Sequence, residues 1–164
     1  MSSGPEPTAP ALGPVRIVIA DDHPIWRSGI RADLGDNFVV VGEAGDAEEA
    51  IRVIAETRPD LVLSDLNMPG GGGVAVVRAC AKSARIVVLT VSEAERDLLD
   101  AVAAGAIGYL VKSTAMEDLR NALWRAAHGE PVFSPSLAAL VLGEFRRLSR
   151  DSTPTAPLSD RERE

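Results

Sequence analysis

Five short runs of apolar, largely β-branched residues recur along the chain, at Ile17–Ala20, Phe38–Val41, Leu61–Ser64, Arg85–Thr90 and Ala106–Val111, with amphipathic stretches between them. A strand with one face in water alternates apolar and polar residues. A run that is apolar throughout needs cover on both faces. Helices must therefore lie on both sides of one sheet, and five successive strand-then-helix units imply parallel strands joined by right-handed crossovers. The predicted fold class is α/β, a doubly wound five-stranded parallel sheet of flavodoxin-like (βα)5 type with strand order 2-1-3-4-5.

The intervening stretches carry helix-start signals. Pro24 suits a first helical position after a pair of aspartates. Asp46 with Glu49, Ser92 with Glu95 and Thr114 with Glu117 have capping-box spacing. Leu119, Ala122, Leu123 and Ala126 follow i, i+3, i+4, i+7 and predict one buried stripe. Four of the eleven prolines fall in the first fourteen residues. The organisation expected is a disordered arm over 1–14, the αβ domain over 15–130, an extra C-terminal linker helix over 131–150, and a flexible linker running into the start of a further domain over 151–164. Ser134-Pro135 reads as the cap of that extra helix, whose apolar face is Leu137, Leu140, Val141, Phe145 and Leu148.

Composition excludes several function classes. With 17 Lys plus Arg against 24 Asp plus Glu the net charge is −7, a poor match to a broad nucleic-acid-binding face. The single cysteine, Cys80, excludes a disulfide framework and a Cys-based metal site. No stretch approaches the ~20 apolar residues of a membrane span. The N-terminus lacks the basic start and apolar region of a signal peptide, so a cytoplasmic location is expected.

In an open parallel sheet, ligands bind beyond the carboxyl ends of the strands. Here the first run ends at Asp21-Asp22, the third at Asp65, the fourth at Thr90 and the fifth at Lys112, so the proposed strand order gathers five polar groups on one edge. Taken singly, an aspartate after a strand is often a helix cap, Thr90 a satisfied strand-end hydroxyl, and Lys112 a solvated charge. Their convergence changes that reading. Two carboxylates ~5 Å apart repel by roughly 3 kcal/mol at an effective dielectric of ~20, so three need a cation or a proton. The donor set is read as oxygen-only, with no His or Cys ligand nearby, which suits Mg²⁺. A metal, Lys112 and Thr90 would supply charge and a donor for phosphoryl oxygens, and Asp65 on the central strand could accept a phosphoryl group covalently. Lys112-Ser113-Thr114 is not a P-loop, because Val111 precedes the lysine and Ala106 stands at the earlier glycine position. The Gly70–Gly73 run reads as a flexible loop leading into the third helix.

Together, Ile19-Ala20-Asp21-Asp22-His23-Pro24, Asp65-Leu66-Asn67-Met68-Pro69-Gly70 with Gly73, and Gly105-Ala106-Ile107-Gly108-Tyr109-Leu110-Val111-Lys112 resemble the receiver domain of two-component response regulators over about residues 15–130. The first two stretches look like the NarL/FixJ-type subfamily. Leu158-Ser159-Asp160-Arg161-Glu162 looks like the opening of that subfamily's LuxR-type helix-turn-helix domain, so the chain is expected to end just inside it. The resemblance implies that Asp65 is the phosphoacceptor for a sensor histidine kinase. It implies that Asp22, Asp65 and the backbone carbonyl of Asn67 hold Mg²⁺ with Asp21 beside them, that Lys112 pairs with the phosphoryl oxygens, and that Thr90 and Tyr109 form the switch. It also implies DNA contact only through an output domain and a signalling module rather than a turnover enzyme. The extra helix over Ser136–Leu148, which must bury its apolar face on the receiver or on another chain, gives the expectation of a phosphorylation-linked homodimer.

Four positions depart from the common receiver pattern: Ser113 stands where proline is frequent, Gly71 and Gly72 replace larger residues, and Val91 follows Thr90 in place of a smaller one. Two alternatives stay open from the residues. A Mg²⁺-dependent phosphatase with an aspartyl nucleophile would carry two aspartates spaced two apart, whereas Asp21 and Asp22 are adjacent. A phosphorylation-independent interaction module would not need the acid site.

Overall fold

The computed structural model describes residues 13–91 and 96–133, together with 138–139, 142–143 and 146–147. Chain order is β1 (Val15–Ala20), α1 (Pro24–Asp33), β2 (Phe38–Ala44), α2 (Ala47–Thr57), β3 (Leu61–Asp65), α3 (Gly72–Cys80), β4 (Arg85–Thr90), α4 (Arg96–Ala103), β5 (Gly108–Val111) and α5 (Met116–Ala127). The strands form one parallel sheet in the order β2-β1-β3-β4-β5. This is the doubly wound flavodoxin-like architecture that the five apolar runs predict.

Alternate residues of each strand face opposite helical layers. Val15, Ile17 and Ile19 of β1, Leu61 and Leu63 of β3, and Val87 and Leu89 of β4 pack with Ile30 and Leu34 of α1 and with Leu119, Ala122, Leu123 and Ala126 of α5. The stripe expected on α5 is thus the one buried. The other face meets α2, α3 and α4. The central strands bury nearly every residue, which explains why their sequences show no alternation.

Local signals succeed where a polar partner is close in sequence. The Asp46 side chain caps α2 by accepting from Glu49 N at 2.8 Å, and Glu49 Oε1 reaches back one residue past the cap to accept from Gly45 N at 2.9 Å, a variant of the capping box. Pro24 occupies the first turn of α1. Thr114 is not the cap of α5: its backbone N–H donates to the Val111 carbonyl at 2.9 Å, tightening the turn after β5, and Ala115 becomes the N-cap with no side-chain bond. The Ser92–Glu95 pair, the Ser134-Pro135 cap, the arm over 1–12 and the segment 151–164 lie outside the described residues.

Two segments differ from expectation. Helix does not begin at residue 131. Val132 instead forms a parallel bridge with Gly108, donating to the Ile107 carbonyl at 3.2 Å and accepting from Tyr109 N at 3.0 Å. The described residues from 138 onward are helical and belong to a second unit, Ser134–Glu164. The glycine run is also more than a loose loop. Gly70, Gly71 and Gly72 have positive φ, Gly72 and Gly73 are buried in the first turn of α3, and both lie against the chain leaving β3. A Cβ on Gly73 would sit 2.9 Å from the Asp65 carbonyl oxygen, and one on Gly72 would collide with that of Leu66. These glycines let α3 start directly behind Asp65.

That close approach gives a testable contrast. Gly35 also has positive φ (+85°) but open space around its Cβ position, whereas Gly72 (φ +66°) combines positive φ with the backbone collision. Gly35→Ala is expected to cost about 1 kcal/mol and Gly72→Ala about 3 kcal/mol or more. Thermal unfolding of both variants checks the order. Equal losses would show that backbone conformation alone, not the approach of α3 to β3, constrains Gly72.

Candidate functional site

Parallel strands deliver their last residues to the same edge, and the register shows how closely. Asp65 pairs with Leu89, one position before Thr90, and Thr90 pairs with Val111, one position before Lys112. Asp21 follows β1, and its backbone N–H donates to the Ala44 carbonyl at 2.9 Å. Asp21 and Thr90 are fully buried and Asp65 is 4% exposed.

The Lys112 ammonium stands between two of the carboxylates, 2.8 Å from Asp21 Oδ2 and 3.3 Å from Asp65 Oδ2. The contact to Asp21 is an ion pair without hydrogen-bond alignment, because Oδ2 is a buried acceptor with no aligned donor among the described residues. Asp21 Oδ1 is held on its other side by the His23 backbone N–H at 2.7 Å and by the His23 ring at 3.0 Å. The same ring lies 3.1 Å from Asp22 Oδ1, whose side chain is 35% exposed. Asp65 Oδ1 accepts from Asn67 N at 3.2 Å. Ligand atoms of Asp21, Asp22, His23 and Asp65 all lie within 4.8 Å of one another, so the cluster could hold a metal ion, and the His23 ring, brought in by the turn after β1, adds a nitrogen to a donor set expected to be oxygen-only.

The electrostatics follow from burial and neighbours. Burial pushes the Asp65 carboxyl above its ordinary value and the Asp21 charge adds to the rise, against the Asn67 N–H and Lys112, which favour the ionised form. For Lys112, burial favours loss of the proton, but the Asp21 and Asp65 carboxylates outweigh it and hold the ammonium above its usual pKa. Lys112 is therefore charged at neutral pH. The expected clash of three carboxylates is real in placement but partly offset by this one cation.

Of the residues singled out from sequence, Asp21, Asp22, Asp65 and Lys112 converge directly. Thr90 is buried at the end of the adjacent strand, and Asn67 meets Asp65 through its backbone. Tyr109 is not at this edge. It is buried opposite Val88, two positions below Thr90, with its ring stacked on Phe133 at a 6.3 Å centroid distance.

Two contributors, Arg27 and Trp26, were not legible in the sequence, and a third, His23, was so only in part. The adjacency of His23 to the aspartate pair was a usable signal, but its ring direction was not. Arg27 donates through its guanidinium to the Asp21 carbonyl and pairs with Glu43 Oε1 at 3.1 Å, anchoring the turn after β1 to β2. The ring of Trp26 lies beside the Lys112 ammonium, a contact that only the folded chain creates.

This arrangement has matches among known proteins. Residues 17–124 match the response regulator receiver domain family. The chain belongs to that family. It is 41% identical over 138 residues to the nitrate/nitrite response regulator protein NarL of Escherichia coli (strain K12), covering 81% of this chain and 64% of that protein. It is 38% identical over 153 residues to the nitrate/nitrite response regulator protein homolog of Haemophilus influenzae, covering 90% of this chain and 72% of that protein. Among solved structures, a LuxR-family two-component response regulator from Aurantimonas superposes with a TM-score of 0.72 at 37% identity, covering 81% of this chain and 99% of that one. The receiver domain of the putative response regulator NarL from Mycobacterium tuberculosis gives 0.68 at 31% identity, covering 73% of this chain and 100% of that one. The chain is thus a receiver domain of the NarL/NarP-like two-component response regulators. No helix among the described residues is long and apolar enough to cross a membrane.

The burial of Asp65 has a stability consequence with a definite sign. Above its raised pKa, folded and unfolded receivers both carry Asp65 ionised, and the folded one does so at a disadvantage. Below its ordinary value of 3.8 both are protonated and the disadvantage is gone. Asp65→Asn is therefore expected to melt a few degrees higher than wild type at pH 7 without divalent metal, with the difference closing as pH falls toward 3.8. A variant that melts lower at pH 7 would show that the Lys112 pairing outweighs the burial.

Proposed function

We propose that Asp65 accepts a phosphoryl group from the phosphohistidine of a sensor histidine kinase in a Mg²⁺-dependent step, and that the receiver then changes conformation or self-association to control transcription. The observation that carries this reading is the placement of one ammonium against both Asp65 and a buried Asp21 at the carboxyl edge of the sheet. A carboxylate oxygen of Asp65 forms the new O–P bond as the donor's N–P bond breaks. The imidazole leaves with the bonding pair and takes a proton from water. Lys112 pairs with the phosphoryl oxygens, and Thr90 turns its hydroxyl toward them. Tyr109, which touches Phe133 just before the second unit, is the aromatic partner of that switch.

The donor set suits a hard cation. Asp22, Asp65 and the Asn67 carbonyl would hold Mg²⁺, with Asp21 beside them or through water, and the buried Asp21 Oδ2 without an aligned donor favours positive charge there. Bound Mg²⁺ would neutralise phosphoryl charge as it develops.

We assign residues 15–130 to the receiver and 131–150 to a linker toward an output domain, of which Leu158–Glu162 would be opening residues. DNA contact belongs to that output domain. RcsB, 27% identical and solved as two dimers bound to two parallel DNAs, supports a dimeric regulator of this kind. The proposed place of action is the cytoplasm, and the role is signalling rather than turnover.

Intact-mass measurement after incubation with acetyl phosphate and Mg²⁺ tests the assignment. One phosphoryl group is expected, removable by hydroxylamine and absent from Asp65→Asn. Uptake by Asp65→Asn, or an adduct that survives hydroxylamine, would place the group elsewhere.

A further inference from the structure

The chain has two tryptophans, Trp26 and Trp124. Trp124 meets Phe38 edge to face at 6.3 Å, a packing contact of the α5 layer. Trp26, in the first turn of α1, is half-buried against the core cluster and presents its ring to the acid site, with Lys112 Nζ 5.0 Å from the ring centroid. The ammonium is therefore contacted by Asp21, by Asp65 and by an indole, and the Lys112 side chain is only 16% exposed.

We propose that Trp26 is a positioning residue for phosphoryl transfer: its ring retains the Lys112 ammonium at the acid site while that ammonium exchanges Asp65 Oδ2 for an oxygen of the incoming phosphoryl group. The inference rests on Asp65 being the phosphoacceptor. With acetyl phosphate as donor, an Asp65 oxygen bonds to phosphorus, the donor's O–P bond breaks, and acetate leaves with the bonding pair. Negative charge then moves outward from the carboxylate to the phosphoryl oxygens, and the ammonium must follow it. Asp21 cannot travel with it, because its Oδ1 is fixed by the His23 N–H at 2.7 Å and the His23 ring at 3.0 Å. A hydrogen bond weakens steeply with misalignment. The attraction of a cation to an aromatic ring persists within about 6 Å of the centroid, so the ring keeps its hold as the ammonium shifts. An aliphatic side chain of similar bulk would exclude water from Lys112 but would not attract it.

The test uses the whole chain carrying Trp124→Phe, so that Trp26 alone takes up tryptophan analogues bearing one, two or three fluorines. Fluorination drains negative charge from the ring with little change of shape. The rate of phosphorylation by acetyl phosphate and Mg²⁺ is expected to fall stepwise along the series, reaching about fivefold for three fluorines, with an unchanged melting temperature. Trp26→Phe should keep most of the rate, and Trp26→Leu should lose at least as much as the most fluorinated protein. A rate that stays flat across the series, or equal rates for Trp26→Phe and Trp26→Leu, overturns the proposal. A parent protein that takes no phosphoryl group at Asp65 overturns the phosphoacceptor assignment and this inference with it, and so is distinguishable from a flat series.

Discussion

Two buried carboxylates can share one edge of this sheet because a single ammonium stands between them. Lys112 contacts Asp21 at 2.8 Å and Asp65 at 3.3 Å from just after a third strand, so one ammonium in two ion pairs ties together β1, β3 and β5 at their carboxyl ends. The pairing does not fully offset burial, since Asp65 still sits above its ordinary pKa. The site therefore stores electrostatic tension that a cation would relieve. Residues around it keep the geometry fixed: Arg27 holds the Asp21 carbonyl, His23 holds its Oδ1, and Gly72 and Gly73 seat α3 behind Asp65.

The chain connects this edge to its own C-terminal side by a short route. Gly108 and Tyr109 open β5, the strand that leads into Lys112, and both are engaged by Val132 and Phe133. Gly108 has no side chain because Val132 occupies the space a Cβ would need. The outer edge of β5 is thereby partly paired, which blunts an otherwise open strand edge. A shift of Tyr109 would be felt at Phe133, the last residue of the first unit.

Much of this was legible in the sequence, for identifiable reasons. Strands buried on both faces advertise themselves as apolar runs, and their last polar residues mark the edge where the charged cluster forms, so strand order and the convergence of Asp21, Asp65, Thr90 and Lys112 followed from pattern alone. The Asp46–Glu49 cap was legible because both partners are local. The Thr114–Glu117 pair has the same spacing, yet the turn after β5 claims Thr114 first. The glycine run was misjudged because its reason is tertiary: only the approach of α3 to the β3 backbone shows why a Cβ is excluded. Trp26 and Lys112 lie at opposite ends of the receiver, and no spacing rule relates an aromatic on α1 to a lysine after β5.

The most direct measurement of the central claim is reductive trapping of the phosphorylated chain with borohydride, which converts an aspartyl phosphate to homoserine, followed by peptide sequencing. Conversion at position 65 alone, with Asp21 and Asp22 untouched, is the result this account predicts. Conversion at position 21 or 22, or none in a chain that has gained a phosphoryl group, would contradict it.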